Sequence, residues 1–336
     1  MDRIGSQARR TLALLLALGA IACDRGRSNP PSPTPNLDPS PAAPATPAAA
    51  SCTLSPVALR YPMPERLVAI GDLHGDLGGM RSALKAAGAI DDKDTWIGGA
   101  LMIVQTGDVL DRGDDEQAMI DLILKLEREA KAAGGAFLWL MGNHELMNAA
   151  GDFRYVTPGA MRDFDDAPGL DTSAWAKVPE GARGRISALG PGGVYAKKLA
   201  QHNVIAIVGD TVFSHAGVLA EWTTQVDEVN RSSRCWLDGQ AGGPRDAPPA
   251  LTSDDSPVWT RAVGLDPADC TAVPAALSAL GVTRMVVGHT VQPSINSACD
   301  GSVWRIDVGL GKNYGGPIEV LELVPGAAPK VLRGTR

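Results

Sequence analysis

Short apolar runs, each closed by glycine and then by charge, recur along the chain from Leu67. "RLVAIG" runs into "GDLHGD", "LMIVQTG" into "GDVLDRG", and "AFLWLMG" into "GNHE". β-prone runs of this length, bounded by glycine, predict buried strands. Between them the period changes. "GGMRSALKAAG" and the stretch from Asp115 to Ala133 read as helices, and in the second Met119, Leu122, Ile123 and Leu126 recur at three- and four-residue steps, which predicts a core-facing stripe. The alternation predicts β-α units of an α/β domain with charged loops at strand C-terminal ends. Later runs, "NVIAIVG", "TVFSH", "RMVVGH", "SVWRIDVG" and "IEVLELV", have few helical stretches between them, so the second half is expected to be antiparallel or mixed sheet. Residues 150–190 are polar and rich in Gly and Pro, and are expected to form an inserted cap over the site.

The N-terminal part follows other rules. Arg3, Arg9 and Arg10 precede an apolar run from Thr11 to Ala22 that is short for a bilayer span and has the charge order of a secretory signal. Ala20 and Ala22 before Cys23 resemble the lipobox of bacterial lipoproteins, with Ala20 standing where Leu is usual. That resemblance implies lipidation of Cys23; a conventional cleaved signal is the alternative, and either implies export. Residues 28–50 hold eight prolines and almost no bulky apolar groups, which predicts an extended tether. The expected organisation is therefore an export signal over 1–23, a tether over 24–56 and a domain over 57–336. The protein is expected in the periplasm or cell envelope, touching membrane only through its lipid anchor.

The 336 residues, 44% hydrophobic, suffice for one or two domains. A net charge of −7 gives no electrostatic footprint for nucleic acid, which is not an expected partner. With Cys23 set aside, Cys52, Cys235, Cys270 and Cys299 make an even number in a compartment that permits disulfides, and three pairings are open.

The strand ends carry the chemistry. Only five histidines occur, and His74, His144, His215 and His289 each end an apolar run, in company with Asp72, Asp108, Asp111 and Asn143. Oxygen and nitrogen donors without thiolate suit Mn, Fe, Zn or Co. A carboxylate can bridge two such ions, which together can clamp a phosphoryl group. In an extended strand end Asp72 and His74 would face one way and Leu73 the other. Asn143 and His144 are adjacent and must diverge, which fits one ligand and one proton donor. His202, in "LAQHNVI", is expected at the surface or a helix end. Asp76 reads as a helix cap, Arg154 as a salt-bridging residue of the cap, Tyr314 as a turn residue beside the cleft and Asp307 as a support for the ligands.

Taken in order, "GDLHG", "GDVLDRG", "GNHE", "HAG" and "GHT" resemble the motifs of the calcineurin-like metallophosphatases, phosphoprotein phosphatase branch. "GNHELMNAAGDFRYV" and "PVWTR" are similar to the Shewanella-like protein phosphatases. The resemblance implies an αββα sandwich of mixed sheets and two divalent ions, Mn foremost in vitro, with Fe, Zn or Co as alternatives. It implies Asp72 and His74 as ligands of the first metal, Asp108 as the bridge, and Asn143, His215 and His289 as ligands of the second. His144 would be the general acid, oriented by Asp111, with Arg112 and Arg261 binding phosphate. The motif "GHTV" lacks the second histidine of the wider superfamily, and "HAG" replaces "HGG". The implied activity is phosphomonoester hydrolysis by metal-bound hydroxide without a phosphoenzyme. The implied substrates are phosphoproteins, carrying phosphotyrosine, phosphoserine or phosphothreonine, or small phosphate esters. The alternatives are a phosphodiesterase or dinucleoside polyphosphate hydrolase of the same superfamily, and a non-catalytic metal-binding envelope lipoprotein.

Overall fold

Three parallel strands, buried almost throughout, bring the first three charged loops to one edge. The computed structural model describes residues 52–336, so Cys23 and the expected export signal and tether up to residue 51 lie outside the described residues. A two-residue strand β1 (Arg60–Tyr61) leads into β2 (Leu67–Ile70), α1 (Leu77–Ala86), β3 (Met102–Gln105), α2 (Glu116–Ala132) and β4 (Ala136–Trp139). β2, β3 and β4 pair in parallel in sequence order, as β-α-β crossovers require. Every residue of β2 and β3 is buried, which explains why these strands read as continuous apolar runs. α2 buries Met119, Leu122, Ile123 and Leu126, the stripe its period predicts.

After α3 (Asn143–Ala149), residues 151–190 carry two single-turn 3₁₀ segments and α4 (Glu180–Leu189), and the last six residues of α4 are buried. Then come α5 (Ala196–Leu199), β5 (Ile205–Val208), β6 (Thr211–Ser214), α6 (Val226–Leu237), α7 (Val273–Leu280) and β7 (Arg284–Val287). β8 (Asn296–Ala298), β9 (Val303–Arg305), β10 (Glu319–Leu323) and β11 (Lys330–Arg333) complete the chain.

The strands form two mixed sheets, one ordered β1-β5-β6-β7-β9-β8 and the other β11-β10-β2-β3-β4. In the first, β5 and β6 are an antiparallel hairpin, whereas β6, β7 and β9 run parallel. The mixed pairing expected of the second half is therefore present. One hydrophobic cluster runs through both sheets, from Leu67 and Ile103 to Phe213, Val286 and Val303. Among the described residues no helix is long and apolar enough to cross a membrane.

Of the three open pairings, the cysteines adopt Cys52–Cys235 and Cys270–Cys299. The first fastens residues 52–56, read as tether, to α6, so the chain joins the domain a few residues earlier than expected. His202 follows the end of α5, one of its two expected places, but it is not at the surface. It is buried, its Nε2 lies 2.7 Å from Glu127 Oε1, and its ring packs on Trp139 with centroids 5.0 Å apart. Its partners lie far away in sequence, on α2 and β4, and local composition gave no sign of them.

The Cys52–Cys235 bridge spans 183 residues and so removes much freedom from the unfolded chain. Replacing both cysteines by serine is expected to cost about 2–4 kcal/mol, read from the urea transition, with a steeper slope because the unfolded chain is no longer cross-linked.

Candidate metal centre

The loops that follow β2, β3, β6 and β7, together with the first turn of α3, deliver Asp72, His74, Asp108, Asn143, His144, His215 and His289 to one buried cluster. Ligand atoms of His74, Asp108 and His144 all lie within 4.8 Å of one another, as do those of Asp108, His215 and His289. Asp108 belongs to both groups. Its Oδ2 is 3.8 Å from His74 Nε2, 3.7 Å from His144 Nε2 and 3.2 Å from His215 Nε2. Asp72 Oδ2 is 3.9 Å from His74 Nε2, and Asn143 Oδ1 is 2.8 Å from His215 Nε2.

Asp72 and His74 meet for a reason other than strand alternation. β2 ends at Ile70, and His74 sits in a turn with φ of 49°. The backbone N–H groups of Leu73 and His74 both donate to Asp108 O, and that turn, rather than an extended strand, sets the pair. Leu73 is buried among apolar side chains, as expected. Asp108, Asp111, Arg112 and His289 also have positive φ, between 57° and 68°, a conformation that non-glycine residues adopt at a cost of about 1–3 kcal/mol each. Strain held at so many residues of one cluster marks it as built for something other than stability.

Two glycines let the loops close. A Cβ on Gly142 would sit 2.2 Å from Asp108 Oδ1, and one on Gly288 would sit 2.3 Å from Asp72 Oδ1. Glu145, in the quoted "GNHE" but given no role by the sequence reading, is fully buried and clamps the loops. Its carboxylate accepts from the backbone N–H groups of Asp108, Val109, Leu110 and Gly142 at 2.8 to 3.2 Å. The signal for it was a glutamate at the third position of a helix whose N-cap is Gly142, placed to reach back to the cap's own N–H.

The imidazoles fall into two kinds by their outer nitrogen. His74 Nδ1 donates to Leu110 O at 3.0 Å, His215 Nδ1 to Thr106 O at 3.0 Å and His289 Nε2 to Trp259 O at 3.1 Å. A carbonyl can only accept, so in the neutral ring the proton sits on the outer nitrogen and the inward nitrogen is a lone pair. Burial drives His74 down to about 4 and His289 to about 2, which keeps both neutral. His144 instead places Nδ1 2.5 Å from Asp111 Oδ2. Burial opposes its charge, yet Asp108 and the hydrogen bond to Asp111 outweigh that and raise it above the ordinary imidazole value. Three rings are backed by a carbonyl and one by a carboxylate.

The donor set fits divalent cations. His215 Nε2 faces Asn143 Oδ1, His289 Nδ1 at 3.1 Å and Asp108 Oδ2, a convergence of acceptors that repel without a cation among them. Burial and the carboxylates of Asp307 and Asp108 push Asp72 well up, and burial lifts Asp307 to about 6. Carboxylates crowded in this way are what bridged ions compensate.

The periphery is mixed. Arg112 lies under two half-exposed tyrosines, its Cζ 4.5 Å from the Tyr155 ring centroid and 5.2 Å from that of Tyr314. The two rings also stand 5.1 Å from His144 and 5.5 Å from His74. Tyr314 is therefore a lining residue of the cleft. Arg261 rests on the other half, donating from Nη1 to His289 O and Thr290 Oγ1 at 3.1 Å. Asp76 caps α1 through Gly79 N at 2.9 Å, and Arg154 pairs with its neighbour Asp152, so neither reaches the cluster. Asp307 is buried behind Asp72 and accepts from Gly309 N at 2.8 Å.

A family signature for calcineurin-like phosphoesterases matches residues 65–293. The chain belongs to that family and is a phosphatase of the hydrolase class. Its relatives place it further, with the Shewanella-like protein phosphatases. It is 43% identical to Shewanella-like protein phosphatase 2 of Arabidopsis thaliana over 79% of this chain and 76% of that one. It is 29% identical to Shewanella-like protein phosphatase 1 of Plasmodium berghei, over 75% and 69%. Among solved structures it resembles a mutant cold-active protein tyrosine phosphatase, with a TM-score of 0.67 and 25% identity over 82% of this chain and 83% of that one.

Two outcomes follow for metal binding. Chelator-treated protein is expected to melt several degrees lower than protein returned to excess Mn, because ions that bind only the folded cluster stabilise it by mass action. Gly288→Ala, which drives a methyl group into Asp72 Oδ1, is expected to weaken Mn binding by at least about 10-fold, measured by calorimetric titration.

Proposed function

We propose that the protein is a metal-dependent phosphomonoesterase acting on phosphoproteins. The observation that carries this reading is the division of labour among the imidazoles. Three point lone pairs at a shared carboxylate, and the fourth, backed by Asp111, is kept ready to give a proton. The names of the relatives support protein substrates.

Asp72, His74 and Asp108 would hold one divalent ion, and Asp108, Asn143, His215 and His289 the other. Bound there, such ions neutralise phosphate charge and make water a nucleophile near neutral pH. Arg112, fixed in plane by Tyr155 and Tyr314, presents its guanidinium to the phosphoryl oxygens in fork geometry. Arg261, steadied by its bonds to His289 O and Thr290 Oγ1, is the second arginine assigned to phosphate. Water attacks phosphorus in line, the bond from phosphorus to the ester oxygen breaks, and the proton on His144 Nε2 passes to the departing serine, threonine or tyrosine oxygen. Asp111 keeps Nδ1 protonated and the ring aimed throughout.

A panel of phosphopeptides, p-nitrophenyl phosphate, bis-p-nitrophenyl phosphate and diadenosine tetraphosphate, run with Mn, tests the substrate class. Phosphopeptides and the monoester are expected to dominate, and faster turnover of the diester or dinucleotide would overturn the monoesterase reading. His144→Asn is expected to lower kcat on phosphopeptide by about 10²–10⁴-fold with metal still bound. Undiminished activity would remove His144 from the mechanism.

A further inference from the structure

Helix α4 sends one charged side chain into the interior. Arg185 is fully buried, and each of the five N–H groups of its guanidinium has an acceptor. Nε donates to Asn148 Oδ1 at 2.7 Å. Nη1 donates to Ala160 O at 2.9 Å and to Glu116 Oε2. Nη2 donates to Glu116 Oε1 at 3.0 Å and to Asp111 Oδ1 at 3.3 Å. The chain of contacts ends at His144. Asn148, held by Arg185, gives its amide to Asp111 Oδ1 and to His144 O, both at 2.9 Å. Glu116 also accepts the backbone N–H of Asp111, whose φ is 68°. With Oδ1 of Asp111 occupied by Asn148 and Arg185, Oδ2 is the oxygen left for His144 Nδ1.

Charge points the same way. Arg185, Glu116 and Asp111 are all shut off from solvent, and Arg185 is the cation that both carboxyl groups share. Buried charge is costly unless compensated. Here the fork of Arg185 supplies the compensation, and the oxygen of Asp111 that it leaves free is the one that takes His144 Nδ1. A lysine at 185 would keep the charge but lose the planar fork that grips Glu116 and Asp111 together.

We infer that Arg185 is a positioning residue, which fixes Asp111 and Asn148 so that the His144 ring is held and aimed for proton transfer to the leaving oxygen. Residues 151–190 thereby contribute a structural arm of the proton donor. The inference rests on His144 acting as general acid. Arg185 itself touches neither phosphate nor leaving group.

Leaving-group dependence tests it. Proton donation matters for phenyl phosphate, whose phenoxide leaves poorly, and hardly matters for 2,4-dinitrophenyl phosphate, whose phenolate leaves without help. With Mn-loaded protein, Arg185→Lys is expected to lower kcat for phenyl phosphate about 10-fold or more, with KM little changed and kcat for the dinitrophenyl ester within about 3-fold of wild type. Equal losses on both esters, or no loss on either, would overturn the inference. Should Arg185→Lys not give a cooperative melt, the charge-balanced pair Glu116→Gln with Arg185→Gln is read by the same criteria. Wild-type protein that hydrolyses neither ester would instead sink the phosphatase reading, so the two failures are distinguishable.

Discussion

Asp108 offers one carboxylate oxygen to three imidazoles, and the rest of the site is arranged so that it can. Its Oδ1 accepts from His144 N at 2.9 Å, its carbonyl receives Leu73 N and His74 N, and its own N–H goes to Glu145. One residue thus joins the loops after β2 and β3 to the first turn of α3, and faces His215 beyond β6. Without that carboxylate the inward lone pairs of His74 and His215 would have no common partner. The constraint also explains the glycines, since a side chain at Gly142 would occupy the space of Asp108 Oδ1.

A cluster of this kind is expensive to fold. Asp72, Asp108, Asp307 and Glu145 are all buried, and residues in five positions of the site adopt left-handed backbone. The cost is met by the apolar sheets beneath, whose strands β2 and β3 are solvent-free along their length. Rigid strands carry strained loops, and the loops keep lone pairs and carboxylates at separations that only cations reconcile. Function here is a local departure from stability, supported by a buried apolar core.

Much of this was legible along the chain because it repeats. Strand, glycine and charge recur with enough regularity to single out the loops, and the resemblance of their motifs named Asp72, His74, Asp108, Asn143, His215 and His289 as ligands; these side chains do converge. The physical reason first assigned to Asp72 and His74 did not hold. Alternation in an extended strand is a local rule, and a turn held by Asp108 O replaces it. What stayed hidden depended on distant partners. Arg185 is an ordinary arginine in a polar stretch until Glu116, Asn148 and Asp111 surround it. The burial of His202 depends on Trp139 and Glu127. The choice among three disulfide pairings depends on which loops the sheets bring together. Glu145 was readable as a glutamate in the first turn of a helix, yet its four backbone partners span two loops that only the fold joins. Tyr155 sat inside a quoted motif without a role, because its contacts with Arg112 and His144 arise from a loop crossing rather than from spacing.

The central claim is that two ions share Asp108, and electron paramagnetic resonance of the Mn-titrated protein tests it most directly. Ions bridged by one carboxylate couple magnetically. The spectrum at saturation is therefore predicted to be that of an exchange-coupled pair, and Asp108→Asn is predicted to abolish that coupled signal. A wild-type spectrum that shows only isolated Mn at every loading, with saturation at a single ion per chain, would contradict the account.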